Sequence, residues 1–261
     1  MKKILLHFAK LLMIMIIFSP SVVLADINTG QIGHWTLDEG SGNIVRDSSG
    51  NNTYGIINDV NAWNGGSGQI GINSLHFDGF DDFVDTNADL LDNSAVFTIA
   101  AWMKRDATNA YVSVSKVDSS NTARVMFSFW NDGNLYWNVS NGSNIFDSIA
   151  SNDTAWHHIV LVFDGALSQN SRVTGYFDGS DQGLSASWPA TAPATTADFA
   201  IGRMYNSGLI YSDGQIDDVR VYNRALTSAD VTELYAFRGY KPKIKLNDRV
   251  MRFLTGKIRI F

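Results

Sequence analysis

Val125-Met126-Phe127-Ser128-Phe129-Trp130-Asn131-Asp132-Gly133-Asn134-Leu135 alternates for six residues and then turns. Val125, Phe127 and Phe129 fall on one side of an extended chain, and Met126, Ser128 and Trp130 fall on the other, which is the period of a β-strand. Asp132-Gly133 then supplies two residues that tolerate positive φ, as a tight hairpin turn requires. The stretch therefore specifies two antiparallel strands, 125–130 and 135–139.

The same signature recurs outward in both directions. Segments 32–37, 74–77, 83–85, 96–103, 112–117, 156–163, 173–177, 199–201 and 216–222 are enriched in β-branched or aromatic residues and punctuated by Gly, Asn or Asp. Asp164-Gly165 and Asp178-Gly179 are further turn signals. One helix is expected near the end. Thr227 is its N-cap and Asp230 sits in the capping-box position, while Ala229, Val231, Leu234 and Tyr235 give an apolar face and Gly239 follows. Only Glu39 and Glu233 are glutamates among 26 acidic residues, which fits a chain of strands and Asp-rich turns rather than helices. About eleven strands and one short terminal helix predict an all-β fold, two antiparallel sheets packed face to face. The small-residue segment 188–196 reads as an external crossover within one core, and there is no convincing internal repeat.

The first 25 residues stand apart. Lys2 and Lys3 precede a mostly apolar run, and Val23 and Ala25 place small residues before Asp26, the layout of a bacterial-type secretory signal peptide. The uninterrupted apolar run 11–18 is too short to serve as a transmembrane anchor, since a span needs about 20 residues. The chain contains no cysteine, which excludes a lipoprotein anchor, disulfides and thiolate zinc. Three segments follow: signal peptide 1–25, a sandwich over 26–237 and a basic extension 238–261. The middle one holds 25 acidic and 9 basic residues, a net of −16, and the extension carries +7. So negative a domain is a poor partner for nucleic acid. The extension, with Lys241, Lys243 and Lys245 alternating with Pro242, Ile244 and Leu246, reads as an added strand pair, a docking arm or a segment touching anionic envelope material.

From about Gln31 to Phe237 the chain resembles the LamG-like jelly roll domain of the concanavalin A-like lectin/glucanase superfamily. The residues that carry the likeness are Gly33-His34-Trp35-Thr36-Leu37-Asp38-Glu39-Gly40-Ser41-Gly42, with Val45-Arg46-Asp47-Ser48-Ser49-Gly50-Asn51 following. Ser74-Leu75-His76-Phe77-Asp78-Gly79, Phe97-Thr98-Ile99-Ala100-Ala101-Trp102 and Trp156-His157-His158-Ile159-Val160 come next in family order, with Phe163-Asp164-Gly165 and Tyr176-Phe177-Asp178-Gly179 after them. Gly214-Gln215-Ile216-Asp217-Asp218-Val219-Arg220-Val221-Tyr222 closes the series. The resemblance implies a jelly roll sandwich and roles that range from sugar binding to adhesion and spacing. It also implies that the loop at Asp47 lies near Asp217-Asp218, where some members hold a structural calcium. Asp47, Asn51 and Asp218 are then the metal candidates. The alternative is an Asx-turn at Asp47 and a salt bridge from Asp217 or Asp218 to Arg220, Arg224 or Arg46, and both readings stand.

Catalysis has little to work with. Similar glucanases use a Glu-x-Asp-x-x-Glu strand motif with two carboxylates about 5 Å apart, and none occurs here. The aspartates Asp81, Asp82, Asp85 and Asp89 are crowded enough for a metal site or a solvated loop. His157 and His158 are adjacent on a strand and point to opposite faces. Trp35, Trp102 and Trp156 read as core. Trp63, Trp137 and Trp188, with Tyr111, Tyr205 and Tyr211, lie near turns, where an aromatic face beside Asp and Asn suits a sugar. Trp137, Trp188 and Tyr205 are accordingly the ligand-binding candidates. The expected function is a non-catalytic module, secreted or periplasmic, for a glycan or an envelope-surface protein, stabilised by Ca2+. A structural or adhesive domain without a small ligand is the second reading, and a glycoside hydrolase the third. If export is right, N-terminal sequencing of protein made in a bacterial host begins at Asp26 or next to it; an intact Met1 on protein held in the cytoplasm contradicts it.

Overall fold

The structure is a computed structural model that describes residues 26–63, 67–120, 122–141, 145–205 and 208–237. The expectations for 1–25 and 238–261 fall outside the described residues. One sheet runs in the order β1 (Gln31–Trp35), β17 (Asp213–Tyr222), β6 (Val96–Arg105), β11 (His157–Asp164), β12 (Val173–Phe177), β13 (Ser180–Asp181), with β4 (Leu75–Asp78) also paired to β17. The second sheet has eight strands. Its order is β10 (Phe146–Ala150), β9 (Asn134–Asn141), β8 (Ala123–Phe129), β7 (Val112–Val117), β14 (Ala200–Ile201), β5 (Val84–Asp85), β3 (Gly55–Ile57), β2 (Ile44–Val45). A small hairpin, β15 (Arg203–Tyr205) and β16 (Leu209–Tyr211), forms a third ribbon, and every pairing is antiparallel. All eleven strands expected from alternation are present. β2, β3, β10, β13, β15 and β16 are additional, and most span only two or three residues, too few to show a period. The result is the all-β jelly roll sandwich.

Between the two large sheets lies one apolar core. Phe97 and Phe163 stack there at 4.9 Å, and Trp35 stacks on Phe199 at 5.7 Å. Trp137 on β9 reaches across the core, and its Nε1–H donates to the Val160 carbonyl of the facing sheet at 3.0 Å. Gly175 on β12 makes room for it, because a Cβ there would come within 2.8 Å of the indole. The helix α1 (Ser228–Ala236) covers the outer face of the first sheet. Thr227 caps it and Asp230 completes the capping box, as expected. Val231 and Leu234 are buried with Asp230, whereas Ala229 is exposed and does not belong to the apolar face.

A β-bulge in β17 sets up the most demanding electrostatics. The pairing of β17 with β6 shifts between Asp217 and Arg220, and Asp218 adopts φ 47°, a left-handed conformation suited to the extra residue of a bulge. The shift lets Ile216, Val219 and Val221 all enter the core. Asp218 then meets Arg220 Nε at 2.9 Å and Nη2 at 3.1 Å, and His34 Nε2 of β1 at 2.8 Å. Burial opposes ionisation of Asp218, but the Arg220 guanidinium and the His34 hydrogen bond outweigh it and hold the carboxyl down to about 2. Its neighbour Asp217 has no cation. Its Oδ2 accepts from the amides of Gln69 and Ile70, both at 2.8 Å, while Oδ1 is buried without a partner. Burial, reinforced by the Asp218 and Asp38 charges, pushes its carboxyl up to about 8 despite those two amides.

The sign of the pH effect follows. Because the folded pKa is raised, this contribution to stability is complete below the unfolded value of about 4 and is lost as pH rises through about 8. Asp217→Asn keeps an oxygen for both amides and needs no proton. Its stability relative to the parent should therefore rise by up to about 1.4 kcal/mol per pH unit between about pH 4 and 8, as read by denaturant unfolding at several pH values. A difference that is flat with pH contradicts a protonated Asp217.

Candidate functional site

Side chains of β7, β8, β9 and β10 that miss the core lie on the outer face of the eight-stranded sheet. Register places Met126 opposite Asn138 and Asn138 opposite Phe146, with Ser128, Tyr136 and Ser148 forming the next row and Arg124 facing Ser140. The β15–β16 hairpin rests on this face, where Met204 packs against Val117 and Met126 and is flanked by Tyr111, Trp130, Tyr205 and Ile210. A cleft of about 310 Å³ is lined by Arg124, Met126, Trp130, Asp132, Tyr136, Asn138 and Phe146. A second of about 320 Å³ is lined by Ser115, Asp198, Arg203, Met204, Tyr205 and others. Met204 and Val117, which line the second cleft, pack against Met126, which lines the first.

The first cleft is an aromatic wall over a polar floor. Trp130 and Tyr136 meet at 5.4 Å between ring centroids, Tyr136 and Phe146 at 5.3 Å with an edge-on tilt of 72°, and Tyr111 adds a further edge contact to Trp130 at 5.7 Å. Phe146 is 47% exposed. The Asp132-Gly133 turn holds the wall in place. The Tyr136 hydroxyl donates to Asp132 Oδ2 at 2.6 Å, and the Asn134 amide donates to Asp132 Oδ1 at 3.0 Å. Burial tends to raise the Asp132 pKa, but these hydrogen bonds win and bring it below the usual carboxylate value. Tyr136 is correspondingly harder to ionise, chiefly through its bond to Asp132.

The expected ligand residues divide between core and surface. Trp137 and Trp188 are fully buried, so neither ring can meet a ligand; Trp137 is used by the inter-sheet core and Trp188 packs in the same cluster. Tyr205 alone of the three borders a cleft, the one beyond the hairpin. Trp130, Tyr136 and Phe146 were missed, although parity carried the signal for two of them: with Phe127 and Trp137 inward, Trp130 and Tyr136 have to face outward.

The proposed calcium residues do come near one another but do not fit a calcium. Asp47 Oδ1 accepts from the amides of His34 and Ser49 at 2.9 and 2.8 Å, and Oδ2 accepts from Ser49 Oγ and the Thr53 amide at 2.8 and 3.0 Å. Asn51 donates through Nδ2 to the Gln31 carbonyl and to Ser49 Oγ. Asp218 is committed to Arg220 and His34. Calcium needs six to eight oxygen ligands, whereas every oxygen of these two carboxylates already accepts at least one hydrogen bond, and Asp218 faces a guanidinium. The alternative of an Asx-turn and an ion pair describes them. Asp59, Asp81 and Asp82 have carboxylate oxygens within 4.8 Å of one another, and burial with the charges of Asp78, Asp59 and Asp81 raises the Asp82 pKa. Three carboxylates alone fall short of a calcium shell.

Among the described residues that line the first cleft, Asp132 is the single carboxylate, so they hold no pair of the hydrolytic kind. His157, on β11, is held between Asp178 at Nδ1 and Asp153 at Nε2, 2.8 and 2.7 Å away. Burial disfavours its charge, but the hydrogen bonds and charges of the two carboxylates prevail and raise its pKa above the ordinary imidazole value, so both ring nitrogens are taken up within the fold.

A two-sheet jelly roll of this topology, with an open aromatic cleft on one face, is a sandwich of the lectin and glucanase kind. The chain belongs to the concanavalin A-like lectin/glucanases superfamily, whose Laminin_G_3 model matches residues 77–232. No curated protein matches it significantly. Among solved structures it is similar to the receptor binding domain of botulinum neurotoxin D, with 14% identity, TM-score 0.57 and coverage of 81% of this chain and 53% of that one. Trypanosoma rangeli sialidase matches at 17% identity and TM-score 0.57, over 79% of this chain and 32% of the sialidase. Domain 4 of AbnA, an extracellular arabinanase from Geobacillus stearothermophilus, matches at 19% identity and TM-score 0.52, over 78% and 98%. The chain thus spans about half of the toxin domain and a third of the sialidase, and at these identities the likeness is one of fold.

The division between core and cleft has a direct energetic consequence. Trp137→Ala should cost about 3–5 kcal/mol of unfolding free energy, as for other buried large-to-small changes, whereas Phe146→Ala should stay within about 0.5 kcal/mol. Chemical denaturation of the two variants measures both. Similar small losses for the two would contradict the assignment of Trp137 to the core.

Proposed function

We propose that this protein is a non-catalytic glycan-binding module that uses the cleft of Trp130, Tyr136, Asn138 and Phe146. The observation that carries the reading is the joining of an exposed aromatic wall to amide and guanidinium groups on an otherwise regular sheet face. Aromatic rings accept the C–H face of a sugar and exclude water there, while nearby polar groups meet its hydroxyls. Superfamily membership supports it, as does the solved AbnA domain of similar fold, which is in complex with arabinotriose. Asp132, the single carboxylate among the described residues of the cleft, is already hydrogen-bonded, which favours binding over hydrolysis. Residues 1–25 direct the module out of the cytoplasm in this reading, so that its partner is a secreted or envelope-surface glycan.

Isothermal titration against a panel of plant, microbial and host oligosaccharides tests the proposal. Saturable binding is expected, weakened about tenfold or more by Trp130→Ala or Phe146→Ala, a change of at least about 1.4 kcal/mol, with melting temperature little altered for Phe146→Ala. Binding that both variants leave intact moves the site elsewhere. No binding across the panel returns the protein to the adhesive or structural reading.

A further inference from the structure

The second cleft lies between the β15–β16 hairpin and the segment that leads into β14. Ser115 and Ala200 pair across β7 and β14, and two such small residues leave the sheet surface low at that point. The hairpin is tied down beside them, since Ser115 Oγ donates to the Arg203 carbonyl at 2.7 Å, and it adds Tyr205 and Leu209 to the lining. Phe199 belongs to the core, so its neighbour Asp198 is directed the other way and lines the cleft. The volume, about 320 Å³, falls within the range of small-molecule sites.

The charges around this cleft pair off and leave one carboxylate over. Arg203 lies 3.9 Å from the centre of the Phe83 ring and donates to Asp85 Oδ2 at 2.9 Å. The buried Lys116 is held by Asp89, by Asp92 at 3.0 Å and by the Ala197 carbonyl at 2.7 Å. Asp198 is the single carboxylate among the described residues that line the cleft, and no described residue donates a hydrogen bond to it or forms an ion pair with it. Burial raises its pKa, and the charges of Asp85 and Asp89 add to this against the opposing pull of Lys116 and Arg203. Both nearby cations are thus committed to other carboxylates. An ammonium group would complete the set, because it brings a charge and three N–H donors and no acceptor. The net of −16 over residues 26–237 also draws cations towards this surface and repels anions. The rest of the lining suits more than a bare ion. Ser119, Thr196 and Tyr205 bring hydroxyls, and Leu209, 42% exposed, brings an apolar edge, which together fit a sugar ring.

We propose that the second cleft binds an amino sugar within a glycan, its protonated amine held by Asp198 and its ring seated beside Tyr205. This site is separate from the aromatic cleft, and either can bind without the other. The test titrates short oligomers of glucosamine against the N-acetylated oligomers of the same length, at low and moderate salt and at a pH where the amine is protonated. The amine form should bind at least about tenfold more tightly. Asp198→Asn should abolish that preference, and Tyr205→Ala should weaken binding of the amine form. Asp198→Asn should also melt no lower than the parent, since it relieves repulsion from Asp85 and Asp89. Glu233→Gln removes one exposed charge on α1, which covers the other sheet, and should change nothing. That variant separates a defined site from the general attraction of a cation to an acidic domain. Trilysine carries ammonium groups without a sugar ring and should bind far more weakly. The proposal is overturned by an acetylated oligomer bound as tightly as the amine, by equal losses in Asp198→Asn and Glu233→Gln, by trilysine bound as tightly as the sugar, or by no binding of the glucosamine oligomers. The aromatic cleft, tested by Trp130→Ala and Phe146→Ala, stands or falls separately.

Discussion

On neighbouring strands β8 and β9, Phe127 and Trp137 sit opposite one another on the inner side of the sheet, and Met126 and Asn138, one residue away, face outward. This parity cannot be altered locally, because a one-residue slip would put every apolar side chain of the strand into water. The core therefore enforces the cleft. Trp137 is anchored across the core to Val160 and fits into the space left by Gly175, which pins the register of β9. With β9 pinned, Tyr136 and Asn138 have one available direction, and pairing with β10 brings Phe146 beside them. At the tight turn the Asp132 carboxylate holds the Tyr136 hydroxyl, and the Tyr136 ring lies tilted against Trp130 at 5.4 Å.

The opposite side of the sandwich solves a different problem. A bulge in β17 directs Asp218 and Arg220 together against His34, where a buried ion pair is tolerable because three donors meet one carboxylate. Asp47 fixes the preceding loop by holding the His34 amide, so the amino-terminal loop and the last strand are joined through one histidine. Asp217, adjacent in sequence, has no cation beside it among the described residues, and burial with the Asp218 and Asp38 charges raises its carboxyl to about 8 against the pull of its two amide donors. Two neighbouring buried aspartates thus have pKa values shifted in opposite directions, because Arg220 and His34 offset the burial of Asp218 and no cation offsets that of Asp217. None of this polar network touches the cleft, which separates the residues that stabilise the fold from those that face a ligand.

Much of the fold was legible in the sequence because it is repetitive physics. Alternation located eleven strands, and Thr227 with Asp230 located the helix start. The hairpin β15–β16 was not legible, since three residues per strand show no period and its seat on Met126 and Val117 is purely tertiary. The ligand residues were misread for a simpler reason. Trp137 and Trp188 were judged by nearness to turns, whereas the alternation of β8 and β9 already assigned Trp137 to the core and Trp130 to the surface. Phe146 could not be found that way, because β10 is recognisable only through its pairing with β9. The choice between metal and ion pair at Asp218 depended on a register shift in β17 that residue types do not encode.

The central claim is that a glycan meets the outer face of the eight-stranded sheet at Trp130. The seven tryptophans provide their own reporters, because each indole N–H gives a separate nitrogen–proton correlation in a 15N-labelled protein. Titrating a bound oligosaccharide into that sample, with signals assigned by single Trp→Phe changes, measures the contact directly. The account predicts that the Trp130 indole signal shifts progressively to saturation while those of Trp137 and Trp188 stay in place. Saturable shifts confined to other tryptophans, with Trp130 unmoved, would contradict it.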